Sequence, residues 1–288
     1  MPKEIKLAKF AGFCYGVKRA VETVKNLKSE NPTRNVCVLG ELIHNSQVID
    51  ELGSLGIETL SELPAKGDGI CVVRSHGESP EVFDKIEKAG FEVLDMTCPD
   101  VKKVQQKAVE LAQNGYYLVI VGKAEHPEVV AIKANALQYS DKVIVVDSPE
   151  AVEPFAKDLK ANKKIGVVVQ TTQMISTLNN VVEALIPLAK ELLVANTICQ
   201  STAMRQAEAK ELAKESDLMI VVGSKKSANT THLAEILTDI AQTIHIETSD
   251  ELVNYSDLIS NSEKISVTAG ASTPDSVIKK VLETLERF

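Results

Sequence analysis

Apolar runs of strand length alternate with amphipathic helical patterns along this chain, and three of the runs end on glycine. These are Val36-Cys-Val-Leu-Gly40, Tyr117-Leu-Val-Ile-Val-Gly122 and Leu218-Met-Ile-Val-Val-Gly223. Each follows a strand–cysteine–helix segment. The strands Ile5-Lys-Leu-Ala-Lys-Phe, Phe91-Glu-Val-Leu-Asp-Met and Leu192-Leu-Val-Ala-Asn precede Cys14, Cys98 and Cys199, and helices begin near Gly16, Asp100 and Ser201. Counted from cysteine to glycine, the separations are 26, 24 and 24 residues. After each glycine come a polar loop and a helix, then a second strand running into an acidic helix start at Ile57-Glu-Thr-Leu-Ser-Glu-Leu, Val143-Ile-Val-Val-Asp-Ser-Pro-Glu and Ile244-His-Ile-Glu-Thr-Ser-Asp-Glu. A third strand then ends in a small polar loop at Ser75-His76-Gly77, Gln170-Thr-Thr-Gln173 or Ala269-Gly-Ala-Ser272.

Four features in the same order three times define an internal repeat. Strands alternating with helices predict an α/β fold of three pseudo-threefold-related units with mostly parallel sheets. The units expected are 14–97, 98–196 and 197–288. The third runs out after its last helix without a closing strand, and residues 1–13 are the spare piece that completes it. In such sheets ligands bind beyond the carboxyl ends of the strands, where the cysteines and polar loops all lie.

With 288 residues the chain can bury a large core. A net charge of −8 argues against general nucleic-acid binding. No apolar run reaches the ~20 residues of a membrane-spanning helix, and the start, Met1-Pro-Lys-Glu-Ile-Lys, lacks a signal-peptide pattern. Five widely spaced cysteines do not form a secreted disulfide framework. A cytoplasmic location with no membrane partner is expected.

A thiol at a helix N-terminus faces unpaired N–H groups and the positive end of the dipole, which favours the thiolate. Cys14, Cys98 and Cys199 are therefore candidate ligands of one shared metal site, whereas Cys37 and Cys71, inside apolar strands, read as small hydrophobes. Three thiolates suit zinc with an open fourth position or an iron–sulfur cluster with one iron lacking a protein thiolate, and spacing does not choose between them. His44, His76 and His126 fall in strand-terminal loops, and the matching loops of the third repeat carry Ser227, Asn229 and Ser272. Together with helix N-termini these donors suit a phosphate or diphosphate. Glu128 either complements a helix dipole or relays protons beside an open metal. Thr171 and Thr172 are loop hydroxyls, Arg74 lies in the same neighbourhood as the anion-binding loops or else pairs with a structural carboxylate, and Lys102, Lys103 and Arg205 read as solvated or ion-paired. His232 and His245 look peripheral.

The same segments resemble the 4-hydroxy-3-methylbut-2-enyl diphosphate reductase (LytB) family. The matching stretches include Gly12-Phe-Cys14-Tyr-Gly-Val-Lys-Arg-Ala, Gly40-Glu-Leu-Ile-His44-Asn, Arg74-Ser-His76-Gly and Asp95-Met-Thr-Cys98-Pro. They continue through Gly122-Lys-Ala-Glu-His126-Pro-Glu128-Val, Gln170-Thr-Thr, Asn196-Thr-Ile-Cys199-Gln-Ser-Thr-Ala-Met-Arg-Gln, Val222-Gly-Ser-Lys-Lys-Ser227-Ala-Asn229-Thr and Thr268-Ala-Gly-Ala-Ser272-Thr-Pro-Asp. They cover almost the whole chain in family order, and their joint occurrence is what makes the match specific.

The resemblance implies a trefoil-like fold around a central [4Fe-4S] cluster held by Cys14, Cys98 and Cys199. It implies that His44, His76, His126, Ser227, Asn229 and Ser272 bind the substrate diphosphate. Ala228 stands where many members carry a small hydroxyl residue, so only its backbone N–H reaches the anion. Glu128, Thr171 and His126 are the implied catalytic residues, with Thr171 supporting the substrate hydroxyl and Glu128 delivering protons. The implied reaction is a two-electron reductive dehydroxylation yielding isopentenyl and dimethylallyl diphosphate, the last step of the non-mevalonate isoprenoid pathway. An external donor such as ferredoxin or flavodoxin and a monomeric state go with it. Tyr15 departs from the smaller residue expected next to the first cysteine. The rivals are a quinolinate synthase-like dehydrating enzyme, which the His, Ser and Asn loop set argues against, and a non-catalytic metal sensor, for which no effector module is visible.

Overall fold

Strand β1 (Glu4–Leu7) lies in the 1–13 segment, and the first repeat comprises helix α1 (Tyr15–Glu30), β2 (Val36–Leu39), α2 (Ser46–Ser54), β3 (Ile57–Leu60), β4 (Ile70–Val73), α3 (Pro80–Lys88) and β5 (Glu92–Asp95). The second comprises α4 (Pro99–Gln113), β6 (Tyr117–Val121), α5 (Pro127–Leu137), β7 (Val143–Val146), α6 (Ala156–Asn162), β8 (Lys164–Val169), α7 (Ile175–Leu185) and β9 (Glu191–Val194). The third comprises α8 (Gln200–Lys214), β10 (Leu218–Val222), α9 (Ala228–Thr238), β11 (Gln242–Ile246), α10 (Ser256–Ser260), β12 (Lys264–Ala269) and α11 (Asp275–Leu285). The structure is a computed structural model and describes residues 3–288; Met1 and Pro2, in the 1–13 segment, lie outside the described residues.

Three four-stranded sheets result, ordered β1-β12-β10-β11, β5-β4-β2-β3 and β9-β8-β6-β7, and every pairing is parallel. The order is the same in all three. In each, the strand leading to a cysteine is an edge strand, paired with the strand that ends in the small polar loop. β1 supplies this edge to the third sheet, with Glu4 to Leu7 in register with Lys264 to Val267. Central strands such as β4 and β10 are buried along their whole length, as parallel strands covered on both faces must be, while the edge strands are part-exposed.

By contact density the chain divides into two compact bodies. The terminal body holds residues 1–23, 43–55 and 200–288, and the middle body holds 24–42 and 56–199. In the terminal body, Ile220, Val222, Leu252, Ile259, Val267 and Val281 form a core against which Ile5 packs. In the middle body, Cys37 and Cys71 are register partners on β2 and β4 and pack with Val73 and Ile86. Hydrogen bonding with Cys37, together with burial, pushes the Cys71 thiol far up, in keeping with the reading of both as small hydrophobes.

The acidic helix starts after the second strands become 3₁₀ segments in the second and third repeats, at Glu150–Phe155 and Ser249–Tyr255. The third has a capping box in which Thr248 and Glu251 each bond the other's backbone. The first repeat differs from expectation: no helix forms between β3 and β4. There the backbone at Gly67 lies against the Phe91 ring, and a Cβ at that position would come within 1.9 Å of it.

Candidate active site

Equivalent backbone bonds present the three cysteines. The Cys14 N–H donates to Ala271 O (3.2 Å), that of Cys98 to Ser75 O (2.9 Å) and that of Cys199 to Thr171 O (3.0 Å). In every case the acceptor belongs to the polar loop of the neighbouring third strand. A helix begins directly after each cysteine, at Tyr15, Pro99 and Gln200. All five cysteines are reduced thiols, and Cys14, Cys98 and Cys199 are half-buried while Cys37 and Cys71 are buried. A half-exposed thiol at a helix start has the chemistry of a soft-metal ligand.

The glycines ending the first strands are held in the same threefold way. Gly40 donates to Leu60 O (2.8 Å), Gly122 to Val146 O (2.9 Å) and Gly223 to Ile246 O (2.9 Å). At Gly122 a Cβ would lie 2.8 Å from Gln170 Oε1. Its absence lets that oxygen accept from Lys123 N–H (3.2 Å), while Gln170 Nε2 donates to Thr172 (2.9 Å). Gln170 thus ties together the loops that carry His126 and Thr171.

In the middle body, His126 is the N-cap of α5, its Nδ1 accepting from the Glu128 N–H at 3.2 Å. In neutral His126 the ring proton therefore resides on Nε2. The His76 and His126 rings meet edge to face with centroids 5.5 Å apart. Glu128 is 1% exposed, and its carboxylate accepts from Thr171 N–H and from Thr171 Oγ1–H, each at 2.7 Å. Burial pushes the Glu128 carboxyl up to about 7 against the pull of these two bonds. A carboxyl poised there donates and recovers a proton near neutrality.

In the terminal body, Asn45 caps α2 immediately after His44, accepting from Val48 N–H at 3.1 Å. Ser272 Oγ donates to the His44 carbonyl (3.2 Å), fixing the loop that bears the imidazole. Ser227 is the N-cap of α9, yet its hydroxyl makes no capping bond. Ser227, Ala228, Asn229 and Ser272 are all buried. The first turn of α9 therefore presents backbone N–H groups and an uncommitted hydroxyl, an arrangement suited to an anion.

Among the residues read as structural, Arg74 pairs with Glu78 (2.7 Å), Lys102 with Asp95 (2.6 Å) and Lys103 with Asp100 (2.9 Å). His232 is buried within α9, and His245 in β11 bonds Gly223 O (2.8 Å). Arg205 departs from its solvated reading: it is 3% exposed and bonds backbone carbonyls. Asp95 and Asn196 also escaped notice, although each stands three residues before a cysteine, a spacing that signals a side chain turned onto its own loop.

Parallel sheets whose carboxyl-end loops carry thiols, histidines and a buried acid define an α/β enzyme with its chemistry at the strand ends. A family model, LytB protein, matches residues 5–286, and the chain belongs to that family. A relative from Geobacter sulfurreducens, 4-hydroxy-3-methylbut-2-enyl diphosphate reductase, is 43% identical over 286 residues, covering 99% of this chain and 98% of its own. A solved structure of (E)-4-hydroxy-3-methyl-but-2-enyl diphosphate reductase, described as the terminal enzyme of the non-mevalonate pathway, is 37% identical with a TM-score of 0.73. It covers 99% of this chain and 100% of that one. The E-1-hydroxy-2-methyl-but-2-enyl-4-diphosphate reductase from Plasmodium falciparum is 28% identical with a TM-score of 0.88, over 98% of this chain and 88% of that one. No helix among the described residues is long and apolar enough to cross a membrane.

Proposed function

We infer that this chain is a 4-hydroxy-3-methylbut-2-enyl diphosphate reductase, which removes the allylic hydroxyl as water with two electrons and yields isopentenyl and dimethylallyl diphosphate. The observation that carries the reading is Glu128, buried, raised to about 7 and bonded twice to Thr171, within a full-length match to the LytB family. The three repeats, 14–97, 98–196 and 197–288 with 1–13, are proposed to deliver one cysteine each to a [4Fe-4S] cluster, through Cys14, Cys98 and Cys199. When bound, such a cluster supplies electrons one at a time and Lewis acidity at an iron without a protein thiolate. Zinc fits the same donors but has no redox chemistry, and a reductase needs electrons.

The remaining roles belong to the chain. His44, His76, His126, Ser227, Asn229, Ser272 and the Ala228 N–H bind the diphosphate, with charge-assisted hydrogen bonds from the imidazoles and N–H groups of a helix start. Thr171 orients the substrate hydroxyl. Glu128 holds the proton that leaves with that hydroxyl as water, and the Thr171 hydroxyl between them is the natural relay. His126, fixed by its bond to the Glu128 N–H, presents Nε2–H to the anion. A cytoplasmic monomer fed by an external donor such as ferredoxin or flavodoxin completes the reading.

Purified without oxygen, the protein is expected to be brown, to hold about four irons per chain, and to oxidise reduced viologen when given the allylic diphosphate. A colourless zinc protein without turnover under those conditions rules the reading out.

A further inference from the structure

The loops before Cys98 and Cys199 hold themselves. Asp95, three residues before Cys98, accepts from the Thr97 N–H (2.9 Å), and Asn196, three before Cys199, accepts from the Ile198 N–H (3.2 Å). Each is a side chain folded onto the backbone two residues on, which pins the approach to the cysteine. The loop before Cys14 has Ala11 at that position and no side chain able to do the same. It also passes through Gly12 with φ +90, where the backbone turns in the left-handed region.

Two side chains of α8, one turn apart, take hold of this loop from outside. The Glu208 carboxylate accepts from the Lys9 N–H (2.8 Å) and the Phe10 N–H (2.9 Å), one oxygen to each. Arg205 donates through Nε to Phe10 O (2.9 Å) and through Nη2 to Gly12 O (2.7 Å). Four charge-assisted bonds thus fall on the backbone of residues 9–12, immediately before the thiol. We propose that Arg205 and Glu208 form a clasp that positions Cys14, replacing the local side-chain turn that serves the other two cysteines. The inference rests on the reading of Cys14 as a cluster ligand, with Arg205 and Glu208 acting as positioning residues. The fork shape of Arg205 matters because it reaches two carbonyls of one bend at once, which a lysine ammonium on a flexible stem does not.

The test compares Glu208→Gln, Arg205→Lys and, as a control on the same helix, Glu211→Gln, whose carboxylate bonds Lys214 at 2.7 Å. Metal-free chains are exposed to N-ethylmaleimide, each cysteine is followed by peptide mass spectrometry, and amide exchange is read over residues 8–14. Hydrogen bonds to charged groups are the strong ones, so loss of the clasp should speed exchange in this segment and alkylation of Cys14 by about tenfold or more. Cys98 and Cys199 should hold their wild-type rates, and Glu211→Gln should match wild type throughout. The loaded variants should show altered electron paramagnetic resonance of the reduced centre. Cys14 and segment 8–14 unchanged in both variants would overturn the clasp, as would all three cysteines accelerating together. Arg205 is buried; should its variant fail to fold, Glu208→Gln alone decides. Iron content of the wild-type chain tests the ligand reading separately: a chain that binds no iron yet shows the Cys14-specific response refutes the cluster and leaves the clasp standing.

Discussion

Glu128 receives both hydrogen bonds of its carboxylate from one residue, the backbone N–H and the hydroxyl of Thr171, at 2.7 Å each. Because Thr171 O in turn accepts from the Cys199 N–H, the proton-carrying acid and a thiol loop share one backbone segment. Burial works against the charged carboxylate and the two bonds work for it, and burial prevails by enough to bring the group to about 7.

A carboxyl raised from 4.5 to about 7 binds more protons folded than unfolded across that window. Its contribution to stability is therefore fully present below about pH 4.5 and is lost as pH rises through 7, amounting to a few kcal/mol at most. Urea midpoints of wild type and Glu128→Gln should diverge in favour of the variant between pH 5 and 8. A constant difference over that range contradicts the raised value. The same variant should keep its iron and its substrate affinity while losing about 10²–10⁴ of turnover, and wild-type turnover should fall on the alkaline side of 7.

Thr171→Val keeps the N–H bond to Glu128 and removes the hydroxyl bond. With one of two carboxylate-stabilising bonds gone, the Glu128 carboxyl should move further up and the alkaline limb of the pH–rate profile should follow it. The quantity to measure is the upper apparent pKa of kcat. A limb that stays in place, or moves down, detaches Glu128 from that titration.

Ser227 and Asn45 occupy the same formal position at two helix starts, and only Asn45 makes the capping bond. Asn45→Ala should cost about 1 kcal/mol of stability. Ser227→Ala should leave the thermal midpoint near wild type and raise KM for the diphosphate, with the larger effect on KM than on kcat. Equal stability losses in the two variants would place the Ser227 hydroxyl in the fold and not in the site.

Replacing Cys14, Cys98 or Cys199 singly with serine should lower iron per chain sharply under identical reconstitution. Cys37→Ser and Cys71→Ser should retain iron and lower stability by about 1–3 kcal/mol, because each puts a hydroxyl into a buried strand pair. Iron analysis beside a urea titration separates the two groups.

The repeat was legible because strand, cysteine, glycine and polar loop recur at nearly constant separations, and local residue types carry those signals. Elements with continuous apolar runs, such as β4, β8 and β10, fell where the pattern put them, since both faces of a parallel strand are covered. The helix expected after β3 did not form: Gly67 and Phe91, 24 residues apart in sequence, pack directly, and that contact leaves no trace in a short window. The ionisation of Glu128 was equally out of reach, because it depends first on burial by the folded chain and then on the opposing bonds from a partner 43 residues away. The role of Arg205 escaped for the same reason, its carbonyl partners lying nearly 200 residues earlier in the chain.

By itself, then, the sequence determined the threefold plan, the cysteine and histidine loops at the strand ends and the family, because periodicity, strand-end placement and residue type are local properties. Only the tertiary structure decided the register in which β1 completes the third sheet, how far Glu128 is raised, and whether Ser227 caps its helix. Those depend on which groups far apart in the chain are brought within hydrogen-bond distance and out of water.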